Sequence, residues 1–201
     1  MNGYYQVRDF PGVRGLQGFP DDLIRSHLKL YEGYVKNVNL LTRRLAEAEP
    51  ETPEWAEMKR RVGFEMNGMR LHELYFENLS SDGADAPAAL KKALDAGWGS
   101  FKAWKSEFSA MGRIRGVGWV LLYMDPVHSR LSNHWIGLHE EGHPAGFVPL
   151  LVMDVWEHAY TGMGRVKYIE AFFGNIDWVC VTSRLLGHSA WRAGKSHAGA
   201  H

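Results

Sequence analysis

Between residues 21 and 48 the apolar positions Leu23, Ile24, Leu28, Tyr31, Tyr34, Val35, Val38, Leu41 and Leu45 recur at three- and four-residue intervals. That is the period of a helix with one buried face. Asp21 and Asp22 suit its first turn, where the helix dipole favours negative charge. A second helical stripe runs through Trp55, Val62, Met66, Met69, His72, Phe76 and Leu79, opened by Thr52 as cap and Pro53 at the first helical position. The connector "EAEPE" is short, so the two helices are expected to pack antiparallel as a hairpin. "SSDGADAP", residues 80–87, reads as a linker, and residues 88–111 as helical again.

The period then changes. "GVGWVLLYMDP", "SRLSNHWIGL" and "FVPLLVMDVW" read as three strands, separated by the turns "MDPVH" and "HEEGHPAG". Strands in direct succession predict an antiparallel meander. "RVKYIEAFFGNIDWVCVTSRLL" is helical once more. The expected fold class is α+β: an N-terminal antiparallel helical hairpin, then an α/β domain with a three-stranded antiparallel sheet. The expected boundaries are residues 1–80 for the hairpin domain, 88–187 for the C-terminal α+β domain and 188–201 for a mobile tail, "HSAWRAGKSHAGAH", of small residues and histidines.

Composition narrows the function classes. The chain has 201 residues, enough to bury a sizeable core, and a hydrophobic fraction of 45%, ordinary for a globular protein. Its 23 basic and 23 acidic residues cancel, which argues against nucleic acid or an anionic membrane surface as partner. No apolar h-region opens the sequence and no apolar run is long enough to span a bilayer. The single cysteine, Cys180, rules out an internal disulfide and fits a reducing compartment, so a cytoplasmic location is expected.

The candidate chemistry lies in "MDVWEHAYTG", residues 153–162. A buried strand ends on Asp154, and His158 follows four residues later. A lone histidine on an apolar helix face is more often a core residue than a ligand, yet each helix of the hairpin carries one on its stripe, His27 and His72. Three neutral imidazoles and one carboxylate suit a first-row transition metal such as iron, manganese or zinc. A buried carboxylate also needs a cation or hydrogen-bond donors to offset its desolvation.

"DVWEHAY", residues 154–160, resembles the signature of the iron/manganese superoxide dismutase family almost letter for letter. The likeness extends to "HLKLYEGYVKNVN" (27–39), "NGMRLHELYFENL" (67–79), "GVGWVLL" (116–122) and "YIEAFFGNIDW" (168–178). The resemblance implies that His27, His72, Asp154 and His158 ligate one iron or manganese ion per subunit, with solvent at a fifth position. It implies an antioxidant oxidoreductase that turns superoxide into dioxygen and hydrogen peroxide by redox cycling of that ion. Trp119 and Trp156 would wall the site. The competing expectation is a non-catalytic metal-binding or structural relative with the fold and ligands kept.

The sequence departs from the family pattern in three places. The family places a gateway histidine four residues after the first-helix ligand and a tyrosine four after that. Here Tyr31 takes the first place and Tyr34 stands seven residues after His27. Seven residues fall about 20° short of two helical turns, so Tyr34 is expected to face the metal. The outer-sphere glutamine is missing: the helix place holds Gly68, and the sheet place is assigned to His134 in "LSNHW". Tyr34, His134 and Tyr31 are therefore the expected second sphere. "TGMGRVK" is shorter than the usual loop after the signature. The resemblance further implies a homodimer or a dimer of dimers, with Glu157 bonding His158 of the partner subunit and Tyr31 meeting Tyr160 of the partner subunit across the interface.

Overall fold

In the computed structural model, residues 4–196 are described, with side chains to residue 187. Helix α1 spans Asp21–Glu47, and its buried residues Leu23, Ile24, His27, Tyr31, Val35 and Val38 follow the expected stripe. Helix α2 spans Pro53–Glu77, with the Thr52 hydroxyl accepting the Trp55 N–H at 3.3 Å. The helices run antiparallel: Tyr31 reaches Glu73, the Tyr34 ring lies over Gly68, and Asn37 reaches Glu65. The second half of α2 is buried on more than one face, from Gly68 to Phe76. The segment ahead of α1 contributes to this burial. Its Phe10 ring packs against Tyr31 and Phe76, and Val13, Leu16 and Phe19 are buried with it.

The helical stretch after the linker is two helices, α3 (Ala88–Trp98) and α4 (Phe101–Gly112). Gly99 breaks them with φ of 78°, and the Ser100 hydroxyl caps α4 by accepting the Ala103 N–H. The last helical stretch is likewise divided, into α5 (Arg165–Gly174) and α6 (Trp178–Ser196). Helix α6 continues to Ser196, through most of the stretch expected to be a mobile tail; residues 197–201 of that expectation lie outside the described residues.

Strands β1 (Gly118–Asp125), β2 (Arg130–Gly137) and β3 (Val148–Asp154) form one antiparallel sheet in the order β2-β1-β3. The expected meander is corrected here: β1 is central, and the chain crosses from one edge to the other after β2. The reason is in the burial. Seven of the eight residues of β1 are buried, whereas β2 is mostly half-buried along its length. The most apolar strand takes the place covered on both edges and both faces.

This register sets the site. Trp119 on β1 lies opposite Asp154 on β3. Asn78, the residue that ends α2, clamps β3 two residues before Asp154: its Oδ1 accepts the Val152 N–H at 2.8 Å, and its Nδ2 donates to the Val152 carbonyl at 3.2 Å. The hairpin and the sheet are thus locked together beside the end of β3.

Candidate metal centre

His27, His72, Asp154 and His158 meet where α1, α2 and the end of β3 converge, and their potential ligand atoms all lie within 4.8 Å of one another. Three imidazole Nε2 atoms surround one carboxylate oxygen. Asp154 Oδ2 is 3.1 Å from His27, 3.0 Å from His158 and 3.8 Å from His72. Ligands held about 2.0–2.2 Å from a common ion and about 90–120° apart would be about 2.8–3.8 Å from each other, and the three distances to Asp154 Oδ2 fall in that range.

The protonation pattern fits a cation. His72 Nδ1–H donates to the Gly68 carbonyl at 2.6 Å, which leaves Nε2 as a bare lone pair. That Nε2 is buried and has no hydrogen-bond partner. A buried acceptor with no protein partner, set within such a cluster, has the chemistry of a metal ligand. Burial, and then His27, push the His72 imidazole well below its ordinary pKa; burial also lowers His27. Burial alone would raise the Asp154 carboxyl, but His158 and His27 more than reverse it, and Asp154 is held well below the usual carboxylate range. With His27 and His72 lowered by burial and Asp154 held ionised, the cluster presents a donor set that a divalent or trivalent first-row metal satisfies.

Around the cluster stands a ring of aromatic groups. Trp119 is fully buried and meets His72 edge-on at 4.9 Å. Trp156 stacks on His139 at 4.9 Å and on His158 at 5.9 Å, and its backbone N–H donates to Asp154 Oδ1 at 2.8 Å. That bond occupies one carboxylate oxygen and leaves Oδ2 facing the histidines. The Tyr34 ring lies 5.0 Å from His72, and its hydroxyl is 2.7 Å from His139 Nε2. Trp119 Nε1–H donates to His139 Nδ1 at 2.9 Å. Because an indole only donates, His139 Nδ1 is the acceptor and its proton sits on Nε2, pointing at the Tyr34 oxygen. Burial lowers His139 to about 4 and raises Tyr34 to about 12, so both are neutral near pH 7.

A family model for the C-terminal domain of iron/manganese superoxide dismutases matches residues 86–184. Over 178 residues the chain is 39% identical to a protein of Cupriavidus metallidurans named as an iron superoxide dismutase, covering 84% of this chain and 89% of that one. The chain belongs to the iron/manganese superoxide dismutase family. An iron superoxide dismutase of Aquifex aeolicus is 33% identical over 192 residues, covering 89% and 90% of the two chains. A manganese superoxide dismutase of Haloferax volcanii is 36% identical over 154 residues, covering 74% and 77%.

Against this family pattern the structure places the expected residues unevenly. It brings His27, His72, Asp154 and His158 together, with Trp119, Trp156 and Tyr34 around them. It does not bring His134. That side chain lies on β2 opposite Leu121, bonds Ser132 at 2.9 Å and packs on Tyr123 and Phe147. It shares the sheet face of Trp119 but sits further along the strand. The residue at Trp119 and Tyr34 is His139, just past the end of β2, the first residue of the expected turn "HEEGHPAG". Trp119 pairs with Ile136 near the end of β2, and the loop that follows brings His139 to its indole.

Tyr31 is also not at the cluster. It is 1% exposed; its hydroxyl donates to Glu73 at 3.0 Å and accepts the Arg8 backbone N–H at 3.2 Å. Both hydrogen bonds are made inside its own chain. Glu157 is exposed, and Tyr160 is half-buried beneath the Arg165 guanidinium.

Proposed function

We propose that the protein is a superoxide dismutase that holds one iron or manganese ion per subunit on His27, His72, Asp154 and His158. The convergence of three imidazole Nε2 atoms on Asp154 Oδ2 carries this reading. Two ligands come from the helical unit, residues 1–80, and two from the α+β unit, residues 88–187, so the site forms only when the two pack together.

When bound, the ion supplies one-electron redox chemistry between its divalent and trivalent states. The net reaction takes two superoxide ions and two protons to one dioxygen and one hydrogen peroxide. The chain's own residues orient the donors and manage the protons. The Gly68 carbonyl fixes the His72 tautomer, and the Trp156 backbone N–H fixes the Asp154 carboxylate. Trp119 and Trp156 exclude bulk water. The Tyr34 oxygen accepts from His139 Nε2–H, so the phenolic proton is free to be offered to a reacting anion in the cavity.

The reading extends to assembly and place. His27, His72 and Asp154 are covered by their own chain to within 1% of side-chain exposure, whereas His158 is 27% exposed. A second copy, with Glu157 accepting a hydrogen bond from His158 of the partner subunit, would complete the cover and orient that imidazole. The balanced surface charge and single cysteine fit an antioxidant role in the cytoplasm. No helix among the described residues is long and apolar enough to cross a membrane.

The test is metal analysis of the purified protein with direct measurement of superoxide decay on the same sample. About one iron or manganese per chain with catalytic decay is expected. A full complement of metal without catalysis would instead identify a non-catalytic relative.

A further inference from the structure

The proton-holding pair Tyr34 and His139 depends on a loop with little regular structure. His139 follows Leu138, which takes φ of 52°, a conformation that disfavours side chains larger than glycine. Something must hold the loop in that shape. Part of the answer is the backbone: Leu138 N–H donates to the Val117 carbonyl, and Gly137 and Glu141 bridge each other.

The other part is a second histidine that the dismutase chemistry has not yet used. His143 Nε2–H donates to the His139 backbone carbonyl at 3.0 Å. Its Nδ1 accepts the hydroxyl of Tyr123 at 2.7 Å. The carbonyl accepts only, so the proton must sit on Nε2, and Nδ1 is then the proper acceptor for the phenol. Tyr123 is buried at 3% exposure and lies on β1, four residues after Trp119 and on the same face of the strand. One strand face therefore grips His139 twice. Trp119 holds its ring, and Tyr123, through His143, holds its backbone.

We propose that His143, oriented by Tyr123, is a positioning residue for the dismutase reaction, fixing the His139 backbone and thereby the placement of His139 Nε2–H against the Tyr34 oxygen. The inference rests on the superoxide dismutase reading of the site. His143 makes no contact with the four clustered ligands; it acts through His139. On its other side it borders a cavity of about 220 Å3 lined also by Leu71, Leu74 and Phe147, so hydrogen bonds rather than close packing set its ring.

The experiment uses full-length protein with His143→Phe, His143→Gln and Tyr123→Phe, each checked for folding by circular dichroism and melting. In metal-free protein the readout is the Trp119 indole N–H, assigned by its absence in Trp119→Phe, and its hydrogen-exchange rate. His143→Phe should speed that exchange at least about tenfold, because His139 no longer stays under the indole. Metal-loaded His143→Phe should lose about tenfold in kcat, within the range found when outer-shell partners are removed, with metal content and KM unchanged. His143→Gln, whose amide can both donate to the carbonyl and accept from the phenol, should restore both readouts to within about threefold. Tyr123→Phe removes one oxygen, keeps the packing, and should move both readouts in the same direction as His143→Phe. An unmoved indole in a folded His143→Phe protein would overturn the proposal, as would a Gln variant no better than Phe. Lack of activity in the unaltered metal-loaded protein would instead sink the dismutase reading, and is seen before any variant is made.

Discussion

The Tyr34 hydroxyl lies 2.7 Å from Nε2 of His139, a residue 105 positions further along the chain. This hydrogen bond joins α1 to the loop after β2 beside the His72 ring. His139 has no second free donor, since its Nδ1 is committed to Trp119. The bond is therefore one-directional, and Tyr34 keeps its own proton for other partners.

His139→Ala should lower kcat about 10- to 100-fold with metal retained, the usual range for losing an outer-shell partner. His134→Ala, distant from the cluster and bonded to Ser132, should stay within about twofold of the unaltered protein. Fast mixing with superoxide on samples of matched metal content separates the two. Equal losses in both would return the outer-sphere role to His134.

Gly68 leaves room for Tyr34. A Cβ built on Gly68 would fall 2.5 Å from the Tyr34 ring. Gly68→Ala should push the phenol off His139, at a stability cost of about 1–3 kcal/mol typical of overpacking. Denaturant melts read the cost, and kcat should fall while metal content is kept.

Metal removal should destabilise the protein, since binding to the folded state alone adds to folding free energy. His72 Nε2 is buried with no hydrogen-bond partner in the protein, so an ion is its natural partner. Melting temperature should rise on reloading iron or manganese, and this rise should vanish in Asp154→Ala. A melting temperature indifferent to metal in the unaltered protein would count against the cluster as an ion site.

Glu157→Ala should shift the chain towards monomer in light scattering and should speed metal loss on dialysis. The exposure of His158 motivates both expectations. A variant that keeps its mass and its metal would show that this carboxylate does not bridge subunits.

The β1–β2 turn should carry a small acid-sensitive contribution to stability. His128, at 2.6 Å, and the Val127 N–H, at 2.7 Å, hold the Asp125 carboxyl below its ordinary value. A group depressed in the folded state stabilises fully above its unfolded pKa, about 3.9, and loses that contribution as pH falls through the folded value. In metal-free protein the melting-temperature gap between the unaltered chain and Asp125→Asn should therefore narrow between about pH 5 and pH 3. A gap independent of pH would remove Asp125 from the acid response.

The sequence alone determined the hairpin, the three strands and most of the cluster, though not the breaks that divide the later helical stretches. The stripe of α1 already carried His27, and that of α2 carried His72, because a 3.6-residue period places a residue on a face whatever it later meets. Asp154 and His158 were legible because a strand rarely ends on a buried acid without a compensating partner. Tyr34 was legible for the same reason as the helical ligands, since seven residues nearly complete two turns. What only the tertiary structure decided were relations between distant segments. The choice of β1 as the central strand depended on which face each strand could bury. The substitution of His139 for His134 depended on cross-strand register, which local pattern does not encode. The retreat of Tyr31 to Glu73 and Arg8 depended on the segment before α1 folding over α2, where a buried phenol had to find polar partners. In each case the deciding term was a hydrogen bond or packing contact between residues far apart in sequence, and such contacts exist only after the chain has closed on itself.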